Sequence, residues 1–154
     1  MAAGTTRRPV PVRRFGSFQE LAEAAQLDDV AFLEASGRRL FDRPGPRPEE
    51  ESGTTMSVWL RQGDGGTTLE VRCRLELAAA LADFAVDAVA VFSLGGPFAL
   101  SAEEQQWFAD QVGVTVLYPY LREAVHGSAG KLGVDTPLLA VRSPWPPASG
   151  TDQK

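Results

Sequence analysis

An α+β fold built on antiparallel strands is the class this chain predicts, on three observations. Leu69 to Leu77 alternates apolar and charged or polar residues without a miss, the pattern of a strand with one face in a core and the other in water. Met56 to Arg61 shares that alternation and joins it through Gly63-Asp64-Gly65-Gly66, a loop rich in residues that accept positive φ. Helical spacing then appears beyond the strands, where Leu121, Ala124, Val125, Ser128, Ala129 and Leu132 fall mostly on one face.

Taken in order, residues 1–14 carry Arg7, Arg8, Arg13 and Arg14 among prolines and predict a flexible arm without the apolar run of a secretory signal. Ser17 with Glu20 is a capping-box pattern, and Phe18, Leu21, Ala22 and Ala25 predict a helix from Phe18 to about Gln26. Val30 to Ala35 predicts a strand, and Asp42 to Gly53, crowded by Pro44, Pro46, Pro48 and an acidic run, predicts a mobile loop. The hairpin follows, its register strongly specified because a one-residue slip would expose Val71, Cys73 and Leu75 together.

After Leu77 two readings stand. Ala78 to Ala82 has helix propensity, whereas Phe84, Val86, Ala88, Ala90, Phe92 and Leu94 alternate. A further antiparallel strand over roughly 83–94 is preferred, since the preceding strand needs a neighbour. Val89 and Val91 then face away from Phe92, as a second layer or a subunit contact. Ser101 with Glu104 predicts a capped short helix ending at Gly113, and Pro119, with its fixed φ and missing N–H, suits the opening of the long helix, which ends near Gly133. Thr136 to Val141 continues as extended chain. Domain boundaries follow: one domain over 15–142 and an irregular proline-rich tail over 143–154, where Pro144, Trp145, Pro146 and Pro147 stand.

The 154 residues, 44% hydrophobic, suit one domain and one core, and a net charge of -5 argues against a nucleic-acid surface. No run is apolar enough to cross a bilayer, and the single Cys73 allows no internal disulfide, so a cytoplasmic setting is expected. His126 is the only histidine, which excludes a multi-histidine metal site. Its neighbours Arg122 and Glu123 make an exposed charged helix face the ordinary explanation, although an enzyme reading would have to run through it. Cys73 sits on the apolar parity of its strand as a packing group. Gly65-Gly66 and Gly95-Gly96 lack the spacing of phosphate-binding loops, and Glu49 to Glu51, Glu70 and Glu76 are explained by solvated surface. Neither an enzyme nor a bound cofactor is expected. What stands out is aromatic material: Trp59 on the wet parity of its strand, and Phe98, Trp107, Phe108, Tyr118 and Tyr120 around the connection between sheet and long helix.

Leu117-Tyr118-Pro119-Tyr120-Leu121-Arg122-Glu123, followed after the helix by Pro137-Leu138-Leu139 and preceded by Asp29 to Glu34 as a first strand, resembles the SecB family of export chaperones over roughly residues 27–141. The resemblance implies a four-stranded antiparallel sheet with helices on one face, a homo-oligomer arranged as a dimer of dimers, and ATP-independent capture of non-native client proteins in apolar grooves between helix and sheet. It implies client contacts at Phe92, Phe98, Trp107, Phe108, Tyr118 and Tyr120, with Trp59, Val89 and Val91 as interface residues, and no membrane insertion. The proline-rich end stands where export members carry a second helix. Arg61, Arg72 and Arg74 interrupt a sheet face that is acidic in members docking the motor SecA. The shortened end and the helix at Phe18 to Gln26 are more similar to SecB-like chaperones that guard an antitoxin. The alternative reading is a binding subunit dedicated to one fixed protein partner.

Overall fold

The computed structural model describes residues 7–137 and 139; residues 1–6 of the expected arm, Leu138, Ala140 and Val141 of the expected extended run, and the expected tail at 143–154 lie outside them. Its centre is a four-stranded antiparallel sheet in the order β1-β4-β3-β2, formed by β1 (Gln26–Arg39), β2 (Gly53–Gly63), β3 (Thr68–Ala78) and β4 (Ala82–Ser93). The ambiguous stretch after Leu77 is thus a strand: only Ala79 to Leu81 turn the chain, and β4 pairs with both β3 and β1. The hairpin register is the one the alternation demands, with Met56, Val58 and Leu60 opposite Leu75, Cys73 and Val71. At its turn Gly65 and Gly66 take φ of 65° and 90°.

β1 is much longer than the strand expected at Val30 to Ala35. Two β-bulges, between Leu27 and Asp29 and between Phe32 and Glu34, break its alternation, and period-two counting loses a strand wherever an extra residue is inserted. Before it, α1 (Phe18–Ala24) is capped by Ser17, whose Oγ accepts from the Glu20 N–H at 3.1 Å. The Glu20 carboxylate accepts from the Gly16 N–H at 2.8 Å.

The helices lie on one face of the sheet. α2 (Ala102–Phe108) begins in a complete capping box between Ser101 and Glu104, as expected. It does not stop at Gly113. A π turn over Ala109–Gly113 carries it directly into α3 (Val114–Leu132), which ends on Gly133 in the left-handed conformation. Pro119 therefore lies inside the long helix and does not open it. The bond it cannot donate belongs to the carbonyl of Thr115, and both residues are exposed, so water can satisfy that carbonyl. Gly113 is a close-approach residue: a Cβ there would sit 2.5 Å from a Val71 methyl. The π turn adds one residue, which keeps Phe108, Ala109, Val114, Leu117, Leu121, Val125 and Ala129 all directed into the core.

That core is filled from the sheet by Leu69, Val71, Cys73, Leu75, Val86, Ala88, Ala90 and Phe92. Cys73 is fully buried, and burial pushes its thiol up to about 12, consistent with a packing role. The Leu40 to Ser52 connection, expected as a mobile loop, spans from one sheet edge to the other and is tied down. Arg47 pairs with Asp83 at 2.7 Å and its N–H donates to the Ala80 carbonyl, while Arg43 pairs with Glu51 at 3.0 Å. The arm expected over 1–14 is anchored at its end. The Arg13 N–H donates to the Pro97 carbonyl at 2.9 Å, and the Ala99 N–H donates to the Arg13 carbonyl at 3.0 Å, forming a parallel bridge between Arg13 and Phe98.

Candidate functional site

Tyr118 and Tyr120, two residues apart on α3, have opposite fates. Val114, Leu117, Leu121 and Val125 set the buried stripe, and Tyr118 falls within it, whereas Tyr120 points away and is 40% exposed. Burial pushes the Tyr118 phenol above its ordinary value. The Tyr120 ring meets Phe32 of β1 edge to face, with centroids 6.5 Å apart, a favourable geometry for aromatic quadrupoles. Phe32, Ala35, Tyr120, Glu123 and Ala124 line a groove of about 330 Å³ between β1 and α3. Leu27 and Leu33 of the same strand are also exposed. β1 pairs only with β4, so its outer edge has no strand beside it among the described residues.

The other aromatics expected to meet a client lie elsewhere. Phe92, Phe98, Phe108 and Tyr118 are all buried, with Phe92 and Phe108 in an edge-to-face contact at 5.0 Å. Trp107 is half-buried, stacked on Phe18 of α1 with centroids 4.9 Å apart and planes at 10°. As the chain stands, Tyr120 and Trp107 are the two of the six with accessible area. His126 is exposed on α3, beside Pro119, Arg122, Glu123, Thr136, Pro137 and Leu139, in a second groove of about 440 Å³.

On the opposite sheet face, Trp59 is 48% exposed and Val89 and Val91 are half-buried, on the parity expected for them. The Arg72 guanidinium lies over the Trp59 ring at 5.1 Å and forks onto Asp87, Nε to Oδ1 at 2.9 Å and Nη2 to Oδ2 at 2.6 Å. Arg74 adds a 3.4 Å contact to Asp87 and a 2.6 Å pair with Glu34. Those hydrogen bonds, Arg72's above all, hold the Asp87 carboxyl below its usual range against the desolvation that would raise it. Arg61 pairs with Glu70 on the same face. The charges are therefore largely cancelled, around a pocket of about 390 Å³ lined by Leu33, Trp59, Val89 and Arg72 among others. Sequence reasoning missed Leu33 and Asp87. Leu33 reaches this face because the bulge sets it and Glu34 on the same side, and Asp87 is the single charge between Phe84 and Val91, across from Arg72 and Arg74.

The frame is thus a four-stranded antiparallel sheet covered on one face by helices, with a groove between α3 and the edge strand β1. Nothing in the described residues groups metal-binding side chains, and no described helix is long and apolar enough to cross a membrane. The chain belongs to the SecB-like chaperone family: it is 38% identical over 125 residues to the SecB-like chaperone SmegB of Mycolicibacterium smegmatis, covering 81% of this chain and 80% of that protein. Its fold matches that of the Mycobacterium tuberculosis SecB-like chaperone Rv1957, solved in complex with a ChAD peptide from the Rv1956 HigA1 antitoxin. That match has a TM-score of 0.63 and 22% identity, and covers 81% of this chain and 94% of that one. No protein-family model matches the sequence.

Proposed function

We propose that this chain is an ATP-independent holdase that binds non-native polypeptides through apolar contacts, without catalysis or cofactor, and that its particular client is an antitoxin. One observation carries the reading: Leu27, Phe32, Leu33 and Tyr120 expose apolar area along an edge strand of 14 residues, whose outer side has no strand beside it among the described residues, and in the groove next to it. Monomeric proteins seldom leave such an edge open. The groove can seat the apolar side chains of an extended chain without strict sequence demands.

The antitoxin peptide bound to the similarly folded Rv1957 supports the choice of client. Service to SecA is disfavoured because Arg61, Arg72 and Arg74 neutralise the face that is acidic in motor-docking relatives. An enzymatic role is disfavoured because Cys73 is buried with its thiol near 12 and His126 sits on an open helix face. We infer a homo-oligomer in which the β1 edges of two copies pair, setting two Phe32–Tyr120 grooves side by side. The cluster of Trp59, Val89 and Val91 then serves a further protein contact.

Purified protein at stoichiometric amounts should slow aggregation of an unfolded client. The double change of Phe32→Ser and Tyr120→Ser should weaken client binding roughly tenfold. Unchanged aggregation with wild-type protein defeats the proposal. Its competitor is a subunit for one fixed partner, which the Trp59 cluster favours; capture of a single stoichiometric partner with no effect on unrelated unfolded chains would decide for that reading.

A further inference from the structure

We propose that the N-terminal segment from Val12 to Ala24 is a strap lying in a peptide-binding site, and that the site accepts an external segment of the same chemistry when the strap lifts. The inference rests on the holdase reading and adds to it a site and its regulation. Three features of the segment resemble a bound ligand. Its extended part pairs its backbone with Pro97 and Ala99 through the single residue Arg13, the manner in which an added strand is held. Its first helical residue, Phe18, stacks on Trp107. One turn further, Leu21 is fully buried in the core cluster.

The floor under the strap is the aromatic surplus that packing alone did not call for in the sequence. Phe98 provides the bridge partner and Trp107 the stacking surface, and the buried pair of Phe92 and Phe108 belongs to the same core cluster as Leu21. Four of the residues expected to meet a client are thus core or strap-covered in the closed chain.

The strap is also lightly held for its length. Its main-chain ties to the rest of the fold, among the described residues, are the two at Arg13, supplemented by the Arg13 guanidinium donating to the Leu94 carbonyl at 3.2 Å. α1 is only seven residues long, too short to be stable without its packing. Segments with few backbone ties and one packed face open at the low end of a protein's stability range. The ligand class follows from the strap itself: unfolded polypeptide in which an extended stretch runs into a helical turn carrying an aromatic residue and, three positions on, a leucine.

A closed site lowers apparent affinity by the fraction of time it is open, so loosening the strap must raise affinity for a segment supplied from outside. A fluorescent peptide of residues 9–26 is titrated by anisotropy into full-length wild type, Phe18→Ala and Arg13→Pro. The first variant removes the stack and the second removes the N–H that donates to Pro97. Each should bind the peptide about 3- to 10-fold more tightly than wild type. The same peptide with serine in place of Phe18 and Leu21 should lose that gain, and hydrogen exchange should show the Ala99 amide protected again in the complex. Equal affinity of all three proteins for the peptide overturns the proposal. Since this titration contains no client, it separates the two readings: suppressed aggregation with equal peptide affinities leaves the holdase without a strap-covered site. Tighter peptide binding with no effect on aggregation leaves the site without the holdase.

Discussion

Gly113→Ala measures how tightly the long helix is pressed onto the sheet. A Cβ at this position would lie 2.5 and 2.6 Å from the two Cγ atoms of Val71 and 2.7 Å from its Cβ, whereas carbon atoms attract at roughly 3.5–4.0 Å. About 1 Å of separation must be created. Val71 is a fully buried β-branched residue in an inner strand and has no flexible end to swing aside. Forcing extra volume into such a contact costs about 1–3 kcal/mol, occasionally more. Replacing glycine with alanine in a helix returns at most about 1 kcal/mol. The expected net loss of about 1–2 kcal/mol lowers the thermal midpoint by roughly 2–8 °C in a domain of this size, readable by circular dichroism. Val71→Ala removes the two Cγ atoms but leaves the 2.7 Å contact, so the double variant should be more stable than the sum of the single losses by about 1 kcal/mol. Its relief is partial. A Gly113→Ala protein as stable as wild type, or strict additivity with Val71→Ala, would refute the close-approach argument.

Asp87→Asn removes the carboxylate that Arg72 forks onto and should cost about 1–3 kcal/mol at pH 7. Because the folded Asp87 carboxyl titrates below its ordinary value, its contribution is present above the unfolded value of about 3.9 and is lost as pH falls through the folded one. Urea midpoints of wild type and variant should therefore converge as the pH is lowered from 7 into the acid range below the ordinary carboxylate value, and a constant gap would contradict the ion-pair account. Cys73, with its thiol near 12, should resist a disulfide-exchange reagent at pH 8 until the chain is unfolded; complete labelling of folded protein within minutes would show that the core is open.

How much of this was readable beforehand depends on whether a local rule survived the tertiary structure. β3 was legible because one of its faces is core along its whole length, and both serine caps were legible because their bonds lie within four residues. The Gly133 stop was legible for the same reason. β1 was not, since its bulges place Leu33 and Glu34 on one face and defeat a count by twos. Pro119 and Gly113 misled together. Each has a local meaning, helix start and helix stop, and each was overruled by contacts between α3 and the sheet that lie far apart in sequence. Starting the helix at Val114 then decides the candidate site, because it turns Tyr118 inward and leaves Tyr120 beside Phe32. The antiparallel fold class needed none of this, and the groove needed all of it.

The π turn at Ala109–Gly113 also makes the chain tolerant of a change in length at one place and sensitive to it close by. A π turn carries one residue more than the α turn it replaces, so deleting one residue between Phe108 and Val114 would close it to a regular α turn and leave α3 and α2, with Trp107 and the α1 stacked on it, both in phase with the sheet. Each residue along a regular helix rotates the next by about 100°, so the same deletion inside α3 would swing one part of its buried stripe about a quarter-turn from the other. The Leu40 to Ser52 connection has no such phase to keep. Among homologues, insertions and deletions should accumulate in that span, and a single-residue deletion in the helical layer should fall within the turn and not within α3.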